Sequence, residues 1–332
     1  VRIHDWLEYL GVSAEHLSYT GQGNNSISTL LNNLDKVFEA EVSLARLASK
    51  GFDGTVLMSR EASPLSNGRL EAKILRGADR SIYDFDDAIF HSAAPFPYSL
   101  WPKDKLWLRS VQSASHIIAG NEYLAEEASK HAENVTLIPS CVDLAAYARK
   151  TSFDLRPVPT LVWLGSPATE PYLAGIADAL LRVNAETPIR LTVISAGQRS
   201  LGALDEIVDR VDWREDNFGQ LLKEADLGIM PLPNDEFARG KCAYKLLQYG
   251  AAGLPVMGSP VGANEQVLKK MEGFAAAGTA AWVAGLSDFL ASTASERRAR
   301  GEAGYNEIAQ GFSFGAWADT WKRVVGVSAA AQ

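Results

Sequence analysis

Short apolar runs that favour extended backbone alternate with longer stretches carrying apolar residues at helical spacing, along nearly all of the 332 residues. In the first half, Thr55–Met58, Ser81–Tyr83, Ile117–Ala119 and Val135–Ile138 read as buried strands, and helices are predicted over Ser28–Ser49, Pro102–Ser113 and Glu122–Lys130. The polar, Pro-containing segment Arg149–Pro159 reads as a linker. A second series opens with a strand at Thr160–Leu164 and a helix at Tyr172–Val183. It continues with strands at Arg190–Ile194, Val211–Trp213, Leu227–Met230 and Pro255–Gly258, and with a helix from Asn264. Consecutive strands separated by helices lie parallel, and a parallel sheet must be covered on both faces. The expected fold class is therefore α/β, with two doubly wound domains in succession.

In such sheets ligands bind beyond the carboxyl ends of the strands. Gly165, Ser166, Leu232 and Arg239 all fall in loops that follow strands. The densest chemistry lies in Asn234–Val256, which gathers Arg239, Lys241 and Lys245 around the start of an otherwise apolar helix. On a helix beginning near Gly240, Lys241, Lys245 and Gln248 stand at i, i+4 and i+7 and share one face. Ala243, Leu246, Leu247 and Gly250 are left for packing. Backbone amides at a helix start, together with Arg and Lys side chains, suit a phosphate-bearing ligand. Spacing alone fits a solvated helix face equally well. Gly165-Ser-Pro167 either lets a ligand approach the backbone closely or makes an ordinary tight turn.

A formal net charge of −8 argues against nucleic acid as the main partner, so a local basic cluster points to a small anion. Cys141 and Cys242 are the only cysteines, which supports neither a disulfide framework nor a Cys-based zinc site; a reducing, cytoplasmic setting is expected. No apolar run approaches the roughly 18 residues of a membrane span, and Val1–Trp6 reads as the start of an amphipathic helix, not a signal peptide. Peripheral contact at the inner membrane face stays open. His4, His16, His91, His116 and His131 show no metal-ligand pairing. Asp84, Asp86 and Asp87 follow a buried strand, where three acids can bind a hard cation or cap a loop. Gly21-Gln-Gly23 has Ser26 where a dinucleotide fingerprint has its third glycine, and it follows no clear strand.

Several strings carry a family likeness: Val162-Trp-Leu-Gly-Ser-Pro-Ala-Thr169, Asp226-Leu-Gly-Ile-Met-Pro-Leu232 and Arg239–Val261, with Tyr83-Asp-Phe-Asp-Asp-Ala88, Gly120-Asn-Glu-Tyr-Leu124 and Ile138-Pro-Ser-Cys-Val-Asp143. In their order and spacing they make the chain resemble retaining GT-B glycosyltransferases of family 4, the glycosyl transferases group 1 type. The resemblance implies two Rossmann-like domains facing a cleft. Residues 1–150 would hold the acceptor and 158–312 a nucleotide-sugar donor. Residues 313–327, with the helix Phe314–Val325, would cross back to the first domain. The donor would be a UDP- or GDP-sugar and a substrate, with no cofactor and no metal. The acceptor would be a glycan, a lipid-linked sugar or a small glycoside.

On the same ground Gly165, Ser166, Lys245, Gln248 and Asn264 are expected to bind the donor, although Asn264 also suits a helix cap. Arg239 and Lys241 would stabilise the departing diphosphate. Asp86 stands where relatives have a catalytic or sugar-contacting His, with Asp87 beside it. Three departures accompany this. Gly240 and Gln248 replace a pair of glutamates; Gln248 can still hydrogen-bond a ribose, and Asp235 or Glu236 can take over the sugar-contacting carboxylate. Ser166 and Thr169 replace an Arg and a Lys. The chain opens on a helix, Arg2–Leu10, without the strand and Gly-rich loop that such folds place before it. A catalytically silent nucleotide-sugar-binding subunit and a GT-B nucleotide-sugar epimerase therefore remain alternatives.

Overall fold

The computed structural model describes residues 2–19, 27–92, 96, 98–214 and 218–327; the Gly21–Ser26 segment and the tail from Ser328 to Gln332 lie outside them. The chain divides into two compact units, residues 1–140 with 317–332, and residues 141–316.

The first unit holds α1 (His4–Tyr9), α2 (Ile27–Leu31), α3 (Leu34–Lys50), α4 (Arg69–Arg76), α5 (Lys103–Val111) and α6 (Glu122–Ser129) around four parallel strands. These are β1 (Phe52–Ser59), β2 (Ala78–Phe85), β3 (His116–Ala119) and β4 (Val135–Leu137), in that spatial order. The central strands carry apolar side chains on both faces, and Ile82, Tyr83, Phe85 and Ile117 are fully buried. Asn121 starts α6 by accepting a hydrogen bond from the Leu124 amide at 2.8 Å. At the carboxyl ends of β2 and β4, the Arg2 guanidinium donates to both oxygens of Asp84 at 2.6 and 3.1 Å and to the Ile138 carbonyl at 2.9 Å.

The second unit has six parallel strands: β5 (Thr160–Leu164), β6 (Arg190–Ile194), β7 (Val208–Val211), β8 (Leu227–Met230), β9 (Val256–Gly258) and β10 (Phe274–Ala275). Their spatial order is β10-β9-β8-β5-β6-β7. Its helices are α7 (Ala177–Glu186), α8 (Phe218–Leu222), α9 (Glu236–Arg239), α10 (Tyr244–Ala251), α11 (Ala263–Lys270), α12 (Gly278–Ala291) and α13 (Ala294–Gly311). The final helix, α14 (Phe314–Val325), groups with the first unit from Trp317 onward. There Trp321 stacks on Trp6 at 5.5 Å, and Arg80 donates to the Val324 carbonyl at 3.0 Å.

Several local expectations shift. The helix expected over Ser28–Ser49 is two, α2 and α3, interrupted by a turn at Asn32 and Asn33. The segment Arg149–Pro159, expected as a linker, lies inside the second unit, which begins at Cys141. The strand expected at Val211–Trp213 lies at Val208–Val211, because pairing with β6 from Leu191↔Val208 to Ile194↔Val211 sets its register; Arg190 on β6 clasps Asp209 at 2.9 Å. The helix expected over Tyr172–Val183 begins as a tighter 3₁₀ turn, Glu170–Ile176, and turns α-helical at Ala177. Pro171 near its start has no amide to donate.

From β5 the chain winds outward through β6 and β7, then returns to β8 on the other side of β5 and continues to β10. The order thus reverses between β5 and β8, and such a switch point opens a crevice at the carboxyl ends. Only Leu161↔Leu227 and Val162↔Gly228 pair across these two strands. Beyond them the Tyr249 hydroxyl of α10 takes over the ladder. It accepts from the Leu164 amide at 2.9 Å and donates to the Ile229 carbonyl at 3.2 Å. Gly228 makes room for it, since a Cβ there would lie 2.5 Å from the Tyr249 ring.

Candidate functional site

Three loops meet at this switch point, following β5, β8 and β9. After β5, Gly165 donates to the Ile194 carbonyl at 3.1 Å, and the Thr169 amide closes a turn on the Ser166 carbonyl at 2.9 Å. The Lys245 ammonium lies 5.3 Å from the ring centre of Trp163. Its stem crosses Gly165, where a Cβ would come 2.7 Å from Lys245 Cε and 2.5 Å from the indole. Gly165 and Lys245 are therefore one local arrangement, with exposed Ser166 at its rim.

The cation-bearing segment does not form one helix from Gly240. Asp235 caps the single turn α9, accepting from the Ala238 amide at 2.7 Å. The chain then leaves helical geometry until α10 starts at Tyr244. The interruption is Ala243, buried and left-handed at φ 55°, a conformation that disfavours a side chain and recurs at ligand sites. Lys241 accordingly stands before the helix, with its ammonium 4.8 Å from the Phe237 ring centre. Lys245 and Gln248 alone share the helical face. Gln248 is buried and its amide donates to the Tyr147 hydroxyl at 3.3 Å. Arg239 is exposed, with Nε 3.2 Å from Asn234 Oδ1.

The loop after β9 closes against Arg239. Gly262, at φ 56° and ψ −132°, lies where a Cβ would be 2.2 Å from the Arg239 carbonyl oxygen. Asn264 is inside the first turn of α11, so it is not the helix cap; its side-chain amide donates to the Ser259 carbonyl at 3.2 Å. Its Oδ1 is buried and has no hydrogen-bond partner among the described residues. Ser259 Oγ in turn accepts from the Leu232 amide at 3.0 Å, which ties the β8 and β9 loops together. Gly262→Ala is expected to combine backbone strain with a clash against Arg239, costing about 2–4 kcal/mol; urea unfolding of the variant measures it.

Beside these loops, buried Glu170 pairs with Arg210 at 3.2 Å, and Arg210 donates to the Gly197 carbonyl at 2.8 Å and to that of Arg199. This pair fixes the loop after β6. Sequence reasoning missed it, since forty residues separate the partners.

Asp86 belongs to the first unit. Arg60, also missed, follows β1 as Asp86 follows β2, and the register Ser59↔Asp84 brings them side by side. Arg60 Nη2 lies 2.6 Å from Asp86 and 2.8 Å from Asp87. Burial pushes the Asp86 carboxyl up, but the Arg60 charge prevails and holds it below the usual carboxylate range. Asp86 is therefore a paired anion at neutral pH. Asp84 turns to Arg2 instead, so the three acids do not converge. Among the described residues no group of three or more His, Cys, Asp or Glu is placed to hold a metal.

Residues 158–292 match the family model of glycosyl transferases group 1. That stretch contains the three loops and every expected donor-side residue. The fold is GT-B, and several solved structures share it. A crystal structure of TarM superposes with a TM-score of 0.62 at 10% identity, covering 85% of this chain and 57% of that one. A UDP-forming trehalose-phosphate synthase from Burkholderia xenovorans superposes with a TM-score of 0.62 at 13% identity, covering 89% and 80%. A trehalose-6-phosphate structure from E. coli, bound with UDP-2-fluoro glucose, gives 0.59 at 14% identity, covering 94% and 84%. This chain thus spans a little over half the length of TarM. No curated protein matches it by sequence. Among the described residues no helix is long and apolar enough to cross a membrane.

Proposed function

We propose that the chain is a retaining glycosyltransferase that moves a sugar from a nucleoside-diphosphate sugar to an acceptor hydroxyl. The observation that carries this is the seat of Lys245 over Trp163 and Gly165 beside the switch point, with Arg239 and Lys241 on the same loop after β8, in a stretch matching glycosyl transferases group 1. Breaking the anomeric C–O bond places negative charge on the departing diphosphate, and cations already held in position stabilise that charge most. Arg239 offers a forked contact, and Lys241 and Lys245 act as point charges. Gly165 leaves room for the Lys245 stem that carries the ammonium to the rim, and exposed Ser166 can donate to the donor there. In a front-face reaction the leaving phosphate oxygen takes the acceptor proton, so no protein base is needed. Asp86, kept ionised by Arg60, suits hydrogen bonds from sugar hydroxyls.

In this reading residues 158–312 bind the donor, and the first unit, residues 1–140 with 317–332, binds the acceptor. The similar structures described as UDP-forming and as bound with UDP-2-fluoro glucose favour a uridine donor over a guanosine one. Turnover is proposed to need no metal and to occur in the cytoplasm.

The second reading is a nucleotide-sugar-binding subunit without turnover. Gly240, which has no side chain to offer, and Gln248, whose amide is engaged by Tyr147, favour it. Thermal shifts against UDP, GDP and their sugars should rise only with ligands that bind the native state. Release of UDP from a UDP-sugar, undiminished by EDTA, supports the transferase. A thermal shift without UDP release selects the silent subunit, and no shift with any nucleotide rejects both.

A further inference from the structure

A cavity of about 250 Å³ opens in the second unit at the amino ends of β8 and β9, the edge opposite the three loops. Its floor is backbone: Gly301 lies so close to Gly253 that a Cβ would come 2.3 Å from the Gly253 carbonyl oxygen. Two arginines stand over that floor. Arg149 is stacked on Tyr305 at 4.1 Å, and Arg298 lies 5.3 Å from the ring centre of Phe153. Phe153 is itself held by buried Arg297, which donates to its carbonyl at 2.9 Å. Among the described residues neither Arg149 nor Arg298 has an ion-pair partner. Lys150 differs, because its ammonium donates to the Ala225 carbonyl at 2.7 Å and lies 3.9 Å from Asp226. Thr151 and Glu302 complete the wall.

We propose that this cavity is a second binding site, for a small phosphorylated polyol of sugar-phosphate size. Two exposed guanidiniums, each resting on an aromatic ring and without an ion-pair partner among the described residues, match a phosphate dianion. Glu302 repels an anion but accepts hydrogen bonds from hydroxyls, so the ligand must carry both kinds of group. The volume lies below the roughly 300–1,000 Å³ of sites that take drug-sized molecules, which suits a ligand of sugar-phosphate size. The eight-residue helix α10 separates the cavity from Lys245 by about 12 Å.

Calorimetric titration of the whole chain with glucose 6-phosphate, inorganic phosphate and glucose tests this. Glucose 6-phosphate should bind saturably, one per chain, more tightly than inorganic phosphate, and glucose should not bind. Arg298→Glu and Arg149→Ala should each weaken it about tenfold or more, and Glu302→Gln should weaken the sugar phosphate while sparing inorganic phosphate. Binding should persist in Lys245→Ala and under saturating UDP, and even if the chain binds no nucleotide sugar. Any of these results would overturn the proposal: no saturable binding at millimolar concentration, equal affinity in the arginine variants, inorganic phosphate binding as tightly, or displacement by UDP.

Discussion

Replacing Lys245 with alanine is expected to lower UDP release from the donor by about 10²–10³-fold, the usual effect of losing one positioned stabiliser of transition-state charge. Its position makes it the most revealing of the three cations. Half-buried, it is held over Trp163 by a stem that only glycine at 165 leaves room for. Exposed Arg239 has no such fixed seat, so its loss should matter less. Lys245→Ala also gives up a cation–π contact, worth about 1 kcal/mol, so a modest fall in melting temperature is expected. Lys245→Met keeps the cover over Trp163 and removes only the charge. If Met restores stability but not turnover, the charge does the chemistry. Wild-type turnover in both variants would remove Lys245 from the site.

Arg2→Ala should be the most destabilising single change in the first unit, by about 3–5 kcal/mol at neutral pH, because it strands a buried carboxylate. Arg2 and Asp84 are 7% and 4% exposed, so water cannot replace the lost partner. Burial already raises the Asp84 carboxyl, with Arg2 pulling it back; without Arg2 it should rise further. A carboxyl with a folded pKa above its unfolded value of about 3.9 brings no deficit below that value. The deficit grows as pH climbs through the folded pKa. Urea midpoints of Arg2→Ala should therefore approach wild type near pH 4 and diverge toward pH 8. Arg2→Met with Asp84→Asn should recover most of the loss. A gap independent of pH would mean that Asp84 is not the stranded group.

The fold was legible because burial on both faces of a parallel sheet writes strands as uninterrupted apolar runs. Thr160–Leu164, Arg190–Ile194 and Leu227–Met230 occur with the predicted bounds, as does the helix Phe314–Val325. The edge strand β7 starts three residues before the position its apolar pattern predicts, since partial burial leaves a weaker pattern and pairing with β6 decides the register. At the site, loops after strands are recognisable from order alone, so Gly165, Ser166 and Arg239 could be singled out. What each touches could not. The left-handed turn at Ala243 leaves no mark, because alanine is the best of helix formers, and the helix was drawn through it. Arg60 beside Asp86, and Arg210 beside Glu170, depend on register between strands, which sequence does not print.

The wedge formed by Tyr249 has a consequence for motion. The Leu164 amide is secured by a side chain of α10 instead of a neighbouring strand, and burial keeps that phenol protonated far above neutrality. Deuterium reaches this nitrogen once the bond to Tyr249 opens, and a phenol that stays protonated leaves that bond intact across the neutral range. Exchange of one proton at the end of β5 thus reports on the contact between the sheet and the helix that carries Lys245.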